Sequence, residues 1–190
     1  MTTLTANCID LNIQGNSVYA ILKQLADMAF QNGYVSDRSI FLQTLLLREK
    51  LHSTGFGSGI AVPHGKSACI RQPFVLFARK SENVDWKASD GEDVNCWICL
   101  GVPQTGEDDQ VKIIGTLCRK IIHQDFIDQL KQGDASQVLA LLNQTLTSEG
   151  RGYGVILTFS GDHQLSGGDR PHLYGGRGAG AKSALARPHD

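Results

Sequence analysis

The sequence predicts an α/β domain, a mixed β-sheet flanked by helices, from three observations. Apolar residues recur at helical spacing from about residue 17 to 51 and again from about residue 108 to 146. Between those blocks lie apolar runs too short for helices: Ile60–Val62, Phe74–Arg79 and Val94–Val102. Helical segments on either side of a run of strands are the pattern of one sheet covered by helices. With 41% hydrophobic and 19% charged residues in a chain of 190, there is enough apolar matter for the core of one ordinary domain.

Cys8–Ile13 alternates apolar and polar residues and reads as a strand. Asn16 or Ser17 caps a first helix whose Val18, Ile21, Leu22, Leu25 and Met28 share one face; it ends before Gly33. Ser36 is expected to cap a second helix, running through Ile40, Leu42, Leu45, Leu46 and Leu47 to about Leu51. Gly55–Gly59 reads as a loop. Val94–Val102 is apolar enough to be the central strand, and Asp90-Gly91 before it is a turn signal. After Pro103, the acidic stretch Glu107–Asp109 opens a helix through Val111, Ile114, Leu117, Ile121 and Ile122. Two short helices follow, around Asp125–Lys131 and Ala135–Leu146. No internal repeat occurs. Composition changes near residue 150: from Arg151 to Asp190 there are nine glycines and a single apolar cluster, Val155-Ile156-Leu157. Residues 1–150 therefore form the expected folded domain, and 151–190 a poorly structured tail.

A formal net charge of -1 gives no electrostatic case for nucleic acid. No apolar run reaches the roughly eighteen residues that a membrane span needs, and M-T-T-L-T-A-N-C lacks the basic start and apolar core of a signal peptide. The expected compartment is the cytoplasm. Five cysteines, an odd number without framework spacing, are expected as reduced thiols. Cys96 and Cys99 match C-x-x-C, but inside a predicted strand residues three apart point to opposite faces, so both read as buried small hydrophobes. Neither zinc nor any other cofactor is expected.

The chemistry concentrates between Arg48 and Lys66, R-E-K-L-H-S-T-G-F-G-S-G-I-A-V-P-H-G-K. His64 follows a short apolar strand and a proline that fixes the adjoining backbone. Near neutral pH an ordinary imidazole is largely uncharged and offers a nucleophilic nitrogen. Gly55, Gly57 and Gly59 permit tight backbone geometry and close approach of an anion to N–H groups. Ser53 and Thr54 could donate hydroxyl bonds to a phosphoryl group, and Arg48 could supply the charge, its guanidinium matching phosphate geometry. Phosphoryl transfer asks mainly for such positioning and charge stabilisation. Arg48 and Glu49 have a second reading as a solvated helix end with an ordinary ion pair. His52, one turn beyond Arg48, is either a second site histidine or a cation at a helix C-terminus; the latter is favoured. The glycine pattern lacks the strand before and helix after that a dinucleotide fingerprint requires.

R-E…S-T-G-F-G-S-G-I-A-V-P-H-G resembles the signature of the enzyme IIA domain, mannitol/fructose class, of the bacterial phosphoenolpyruvate-dependent sugar phosphotransferase system. The resemblance covers roughly residues 5–147, including Val84-Asp85-Trp86…Asp90-Gly91, the strand ending at Val102-Pro103 and the helix after it. It implies a mixed sheet flanked by helices and His64 as phosphoryl acceptor. The group would come from the phosphocarrier protein HPr, or an HPr-like domain, and pass to the cysteine of a IIB domain. Arg48 and Glu49 match the family's Arg-Glu pair and are implied as site support. The family's second histidine, in an H-L-x-L-L-like pattern, is replaced here by Gln110 in Q-V-K-I-I. Glutamine donates a hydrogen bond but carries no charge.

The resemblance stops near residue 150. Back-translated and advanced by one nucleotide, the tail can be read A-I-T-S-C-P-A-G-I-A-H-T-Y-M-A-A-E-A-L-E-Q-K-A-R, similar to the start of a fructose-type IIB domain. The expectation is an out-of-frame IIB start; the plainer alternative is a Gly-rich linker, with no role for His163, His172 or His189 in either case. Three functions are distinguished: a phosphoryl carrier in uptake of fructose- or mannitol-like sugars, a regulatory protein whose His64 phosphorylation controls a protein partner, and a small-molecule binding domain with a structural His64.

Overall fold

The computed structural model describes residues 4–105 and 108–147; for 108–111, 113 and 114 the description is of backbone alone. The tail expected over 151–190 lies outside the described residues. Among the described residues six strands form one mixed sheet in the order β1 (Ile9–Asp10), β5 (Phe74–Val84), β6 (Val94–Pro103), β3 (Ile60–Ala61), β2 (Gly55–Gly57), with β4 (His64–Ser67) also paired to β6. Five α-helices among the described residues accompany it, so the predicted fold class is the observed one.

The alternating stretch Cys8–Ile13 yields a 3₁₀ turn, Ala6–Cys8, and a short strand β1, Ile9–Asp10, parallel to β5. Helix α1, Val18–Gln31, starts where Ser17 accepts a hydrogen bond from the Ala20 N–H at 3.1 Å. Such a cap contributes about 1 kcal/mol. It buries Ile21, Leu22, Leu25, Ala26 and Ala29.

Helix α2, Arg38–Leu51, corrects two expectations. Its cap is Asp37, which accepts from the Ile40 N–H at 3.0 Å, while Ser36 donates its hydroxyl to the Cys69 carbonyl. Its buried face carries Phe41, Leu45 and Arg48, at i, i+4 and i+7, whereas Ile40, Leu47 and Leu51 are exposed.

The glycine stretch is not a loop but strand β2, Gly55–Gly57, antiparallel to β3, Ile60–Ala61. Ser58 and Gly59, both with positive φ (57° and 76°), make the tight turn between them, a conformation suited to the twist of a hairpin. β4, His64–Ser67, was not foreseen. β3 and β4 lie in succession along one edge of β6, Val94–Pro103: Ile60 and Ala61 pair with Cys96 and Trp97, and His64–Ser67 pair with Leu100–Pro103. Pro63 marks the break, since it has no N–H to give, but its carbonyl still accepts from the Leu100 N–H at 2.9 Å. On its other edge β6 pairs antiparallel with β5, Phe74–Val84. The connecting turn holds Gly91 at φ 73° beside Asp90, where the turn signal stood.

β6 is buried along nearly its whole length, so both faces of the sheet are covered. α1 and α2 pack together against β5 and β4, and α3 (Asp108–Lys120), α4 (Gln124–Gln132) and α5 (Ala135–Thr147) form a second group. Arg79 of β5 joins that group to the sheet by donating to the Leu130 carbonyl at 2.8 Å. No described helix is long and apolar enough to cross a membrane.

Candidate active site

His64 opens β4 and is 6% exposed. Its Nδ1 lies 2.8 Å from the Val62 carbonyl oxygen. A carbonyl only accepts, so Nδ1 carries the proton and Nε2 keeps a lone pair. Arg48 confirms that assignment from the other side, donating its Nε–H to His64 Nε2 at 3.2 Å. Burial, with help from the neighbouring guanidinium, pushes the imidazole down to about 4, although the Val62 bond favours the proton. At neutral pH the ring is uncharged and held in one orientation, with the Nε2 lone pair toward Arg48.

Arg48 reaches the ring because α2 runs close to β4. A Cβ on Gly65 would stand 2.7 Å from Thr44 Cγ2, so glycine there permits the approach. Arg48 lies one helical turn beyond Thr44. It also donates Nη1–H to the carbonyl of His52 at 2.6 Å, which fastens the guanidinium to the end of its own helix. Burial lowers its affinity for a proton without approaching neutrality for an arginine. His52 is the exposed C-cap of α2, in line with the favoured helix-end reading.

Glu49 points elsewhere. Its carboxylate accepts from the Thr54 N–H at 2.7 Å, from the Thr54 hydroxyl, and from the Trp86 indole N–H at 2.7 Å. Burial raises its pKa, opposed by those donors and by Arg48. Thr54 therefore serves Glu49 with both its donors. Ser53 donates to the Trp86 carbonyl at 3.3 Å and accepts from the Gly55 N–H at 3.2 Å.

The structure thus brings His64, Arg48 and the Val62 carbonyl together and sets Glu49, Thr54 and Trp86 beside them. It does not bring Gly57 and Gly59 to the histidine. The Gly59 carbonyl accepts from the N–H groups of Asn95 and Cys96, while His64 is in register with Leu100. That offset along β6 is about 16 Å. Gly55 instead allows close approach to the turn after β5, where a Cβ would meet that of Ala88 at 2.5 Å. Gln110 falls in the first turns of α3, and its side chain lies outside the described ones.

Two participants were missed in the sequence. The Val62 carbonyl has no side-chain signal. Trp86 had one: a buried indole N–H needs an acceptor, and Glu49 was available. All five cysteines are buried and unbridged. Burial pushes Cys96 up to about 11 and Cys99 higher still, so both remain protonated thiols. Among the described residues no group of histidine, cysteine and carboxylate side chains could hold a metal ion.

Residues 2–145 match the family described as "Phosphoenolpyruvate-dependent sugar phosphotransferase system, EIIA 2". The chain is 78% identical over 148 residues to the "PTS system fructose-like EIIA component" of Escherichia coli (strain K12), covering 78% of this chain and all of that one. It also resembles the solved nitrogen regulatory protein IIA-Ntr of Neisseria meningitidis, at 27% identity and a TM-score of 0.67 over 73% of this chain and 94% of that one. Mannitol IIA of Escherichia coli, solved in complex with phosphorylated mannitol IIB, shares the fold at 23% identity and a TM-score of 0.62, over 74% of this chain and 96% of the other.

Proposed function

The chain belongs to the EIIA type 2 family of the phosphoenolpyruvate-dependent sugar phosphotransferase system, and from that premise we propose that it carries a phosphoryl group on Nε2 of His64, from an HPr-like donor to a IIB cysteine. The observation that carries the proposal is the tautomer: Nδ1–H is engaged by Val62, so the buried Nε2 has its lone pair and faces a guanidinium. The steps follow. The Nε2 lone pair attacks the phosphorus of the donor's phosphohistidine; the new N–P bond forms as the donor's N–P bond breaks, and the donor ring keeps the released pair. No proton leaves His64. The ring gains positive character, which the Val62 carbonyl stabilises through Nδ1–H. Arg48 moves from Nε2 to the phosphoryl oxygens and offsets their charge. In the second step a IIB thiolate attacks phosphorus and Nε2 departs with its pair.

Ser53 and Gly55 pack against the Trp86–Ala88 turn, and Gly57 and Gly59 shape the hairpin. Glu49 supports Arg48 from the adjoining helix position. Where the resemblance implies a second histidine this chain has Gln110, and Gln110→His is expected to accelerate transfer by adding a charge. The fructose-like relative supports a sugar-uptake role, and the solved IIA–IIB mannitol complex supports a IIB partner. The nitrogen regulatory relative is the basis for the second reading, in which the phosphorylation state of His64 governs a protein partner.

The test is incubation of the protein with phosphoenolpyruvate, enzyme I and HPr, followed by assay for acid-labile, base-stable phosphate. One equivalent is expected on the wild type and none on His64→Ala. Undiminished labelling of that variant, or no labelling of the wild type, would sink the carrier reading. Onward transfer to a fructose-type IIB distinguishes uptake from regulation.

A further inference from the structure

We propose that Trp86 is a positioning residue for the phosphoryl site: its indole N–H, together with Thr54, clamps the Glu49 carboxylate and thereby keeps the Arg48 guanidinium on His64. The inference rests on the reading of His64 as acceptor and extends it to residues that never touch the phosphate.

Arg48 and Glu49 are consecutive in the last turn of α2 and about 100° apart around the helix. Arg48 goes to His64, and Glu49 goes to Thr54 and Trp86. A roll or fraying of this turn moves both side chains at once. The end of a helix is the part most prone to such movement, because its last carbonyls lack intrahelical partners. Here one such carbonyl, that of His52, accepts from Arg48 itself, so nothing in that bond ties the turn to the sheet. A tie separate from the Arg48–His64 bond runs through Glu49, to Thr54 just before β2 and Trp86 just after β5.

Trp86 makes that tie rigid. It is 1% exposed, and its ring packs against Trp97 with centroids 5.7 Å apart. Trp97 belongs to β6 and is in register with Ala61 of β3, just before the Val62-Pro63-His64 segment. The clamp and the acceptor are therefore referred to the same stretch of β6. The Trp86 indole N–H lies 2.7 Å from Glu49 Oε1 and 3.3 Å from the Thr54 hydroxyl oxygen. Glu49 thus receives three donors, Thr54 N–H, Thr54 O–H and Trp86 N–H, which fix the plane and position of its carboxylate. A geometry so over-determined suits a role in placement better than one in contacting substrate.

The experiment uses the full chain with Trp86→Phe, which keeps an aromatic ring and removes the N–H. Three quantities are read: thermal midpoint, titration of the His64 ring by NMR, and single-turnover transfer from phosphorylated HPr at varied donor concentration. The rate at saturating donor is expected to fall about tenfold, with half-saturation unchanged, because the acceptor is misplaced and docking is not. The His64 titration is expected to move upward as the guanidinium drifts from the ring. Thr54→Val is expected to act in the same direction but less, since the Thr54 backbone N–H remains. A lowered midpoint with unchanged His64 titration and unchanged saturating rate would show a purely structural tryptophan and overturn the inference. If Trp86→Phe does not fold, Thr54→Val decides by the same readouts. The titration needs no phosphoryl transfer, so an unlabelled wild type would defeat the carrier reading without touching this result.

Discussion

At the scale of the residue, the decisive property is that His64 is kept uncharged. Its pKa of about 4 in the folded chain lies below the 6.5 of an exposed histidine, mainly through burial. Transfer from phosphorylated HPr is therefore expected to be independent of His64 titration from pH 8 down to about 5, as read by initial labelling rates. Stability has the opposite face. Between pH 6.5 and 4 the unfolded chain takes up a proton that the folded chain refuses, so stability falls as pH falls through that window and levels off below it. The loss attributable to this ring is about 3 kcal/mol. The unfolding free energy of the wild type, from denaturant titrations, is expected to drop across the window, and that of His64→Gln to drop less by that amount. Arg48→Gln probes the second member. If Arg48 offsets phosphoryl charge as proposed, removing this buried cation is expected to slow transfer by about 100-fold, the range found for lost charge-stabilising donors. The same variant is expected to raise the His64 titration, since the guanidinium is one of its depressing influences.

At the scale of the element, the site depends on how closely α2 can approach β4. Gly65 is the residue that allows it, with a hypothetical Cβ 2.7 Å from Thr44 Cγ2. Gly65→Ala is expected to destabilise by about 1–3 kcal/mol, the usual cost of overpacking, and to lower the transfer rate by displacing Arg48. Thr44→Ser removes the offending methyl and is expected to restore most of both in the double variant; a denaturant series on the four proteins measures the coupling. This contact also shows what the sequence could and could not convey. The helices are legible because their apolar positions repeat, and β6 and the first half of β5, Phe74–Arg79, because they are apolar runs; the polar continuation of β5 through residues 80–83 carries no such signal. β4 was not, because His64, Gly65, Lys66 and Ser67 contain no hydrophobic run; it is a strand only by pairing with Leu100–Pro103. Gly55–Gly59 reads as a loop for a similar reason: glycine signals freedom, and only tertiary pairing turns Gly55–Gly57 into strand. Ser36 and Asp37 are both good caps, and the choice between them was made when Ser36 was drawn to the Cys69 carbonyl. His64 and Arg48 stood out by chemistry and spacing, but the division of labour between Arg48 and Glu49 needed Trp86, which is distant in sequence.

At the scale of the whole molecule, the question is what residues 151–190 contribute, since the family match ends at residue 145. A chain ending at residue 150 is expected to keep the thermal midpoint and the His64 labelling of the full protein. The shifted reading of the tail makes a stronger claim. If a single-base change between codons 145 and 190 restores the frame, the chain continues into a stretch containing S-C-P-A-G-I, and one polypeptide then holds both the histidine that gives and the cysteine that receives. Linkage converts the second transfer from a collision into an intramolecular event at an effective concentration on the order of millimolar for a short flexible linker. The encoding DNA shows directly whether such a change exists. With the frame restored and the IIB domain complete, phosphate placed on His64 is expected to appear on the cysteine at a rate that does not change on dilution, and replacement of that cysteine by serine is expected to trap it on His64. A rate proportional to protein concentration would mean that the two sites do not meet within one chain, whereas the absence of any frame-restoring single-base change in the DNA would make the tail a Gly-rich extension.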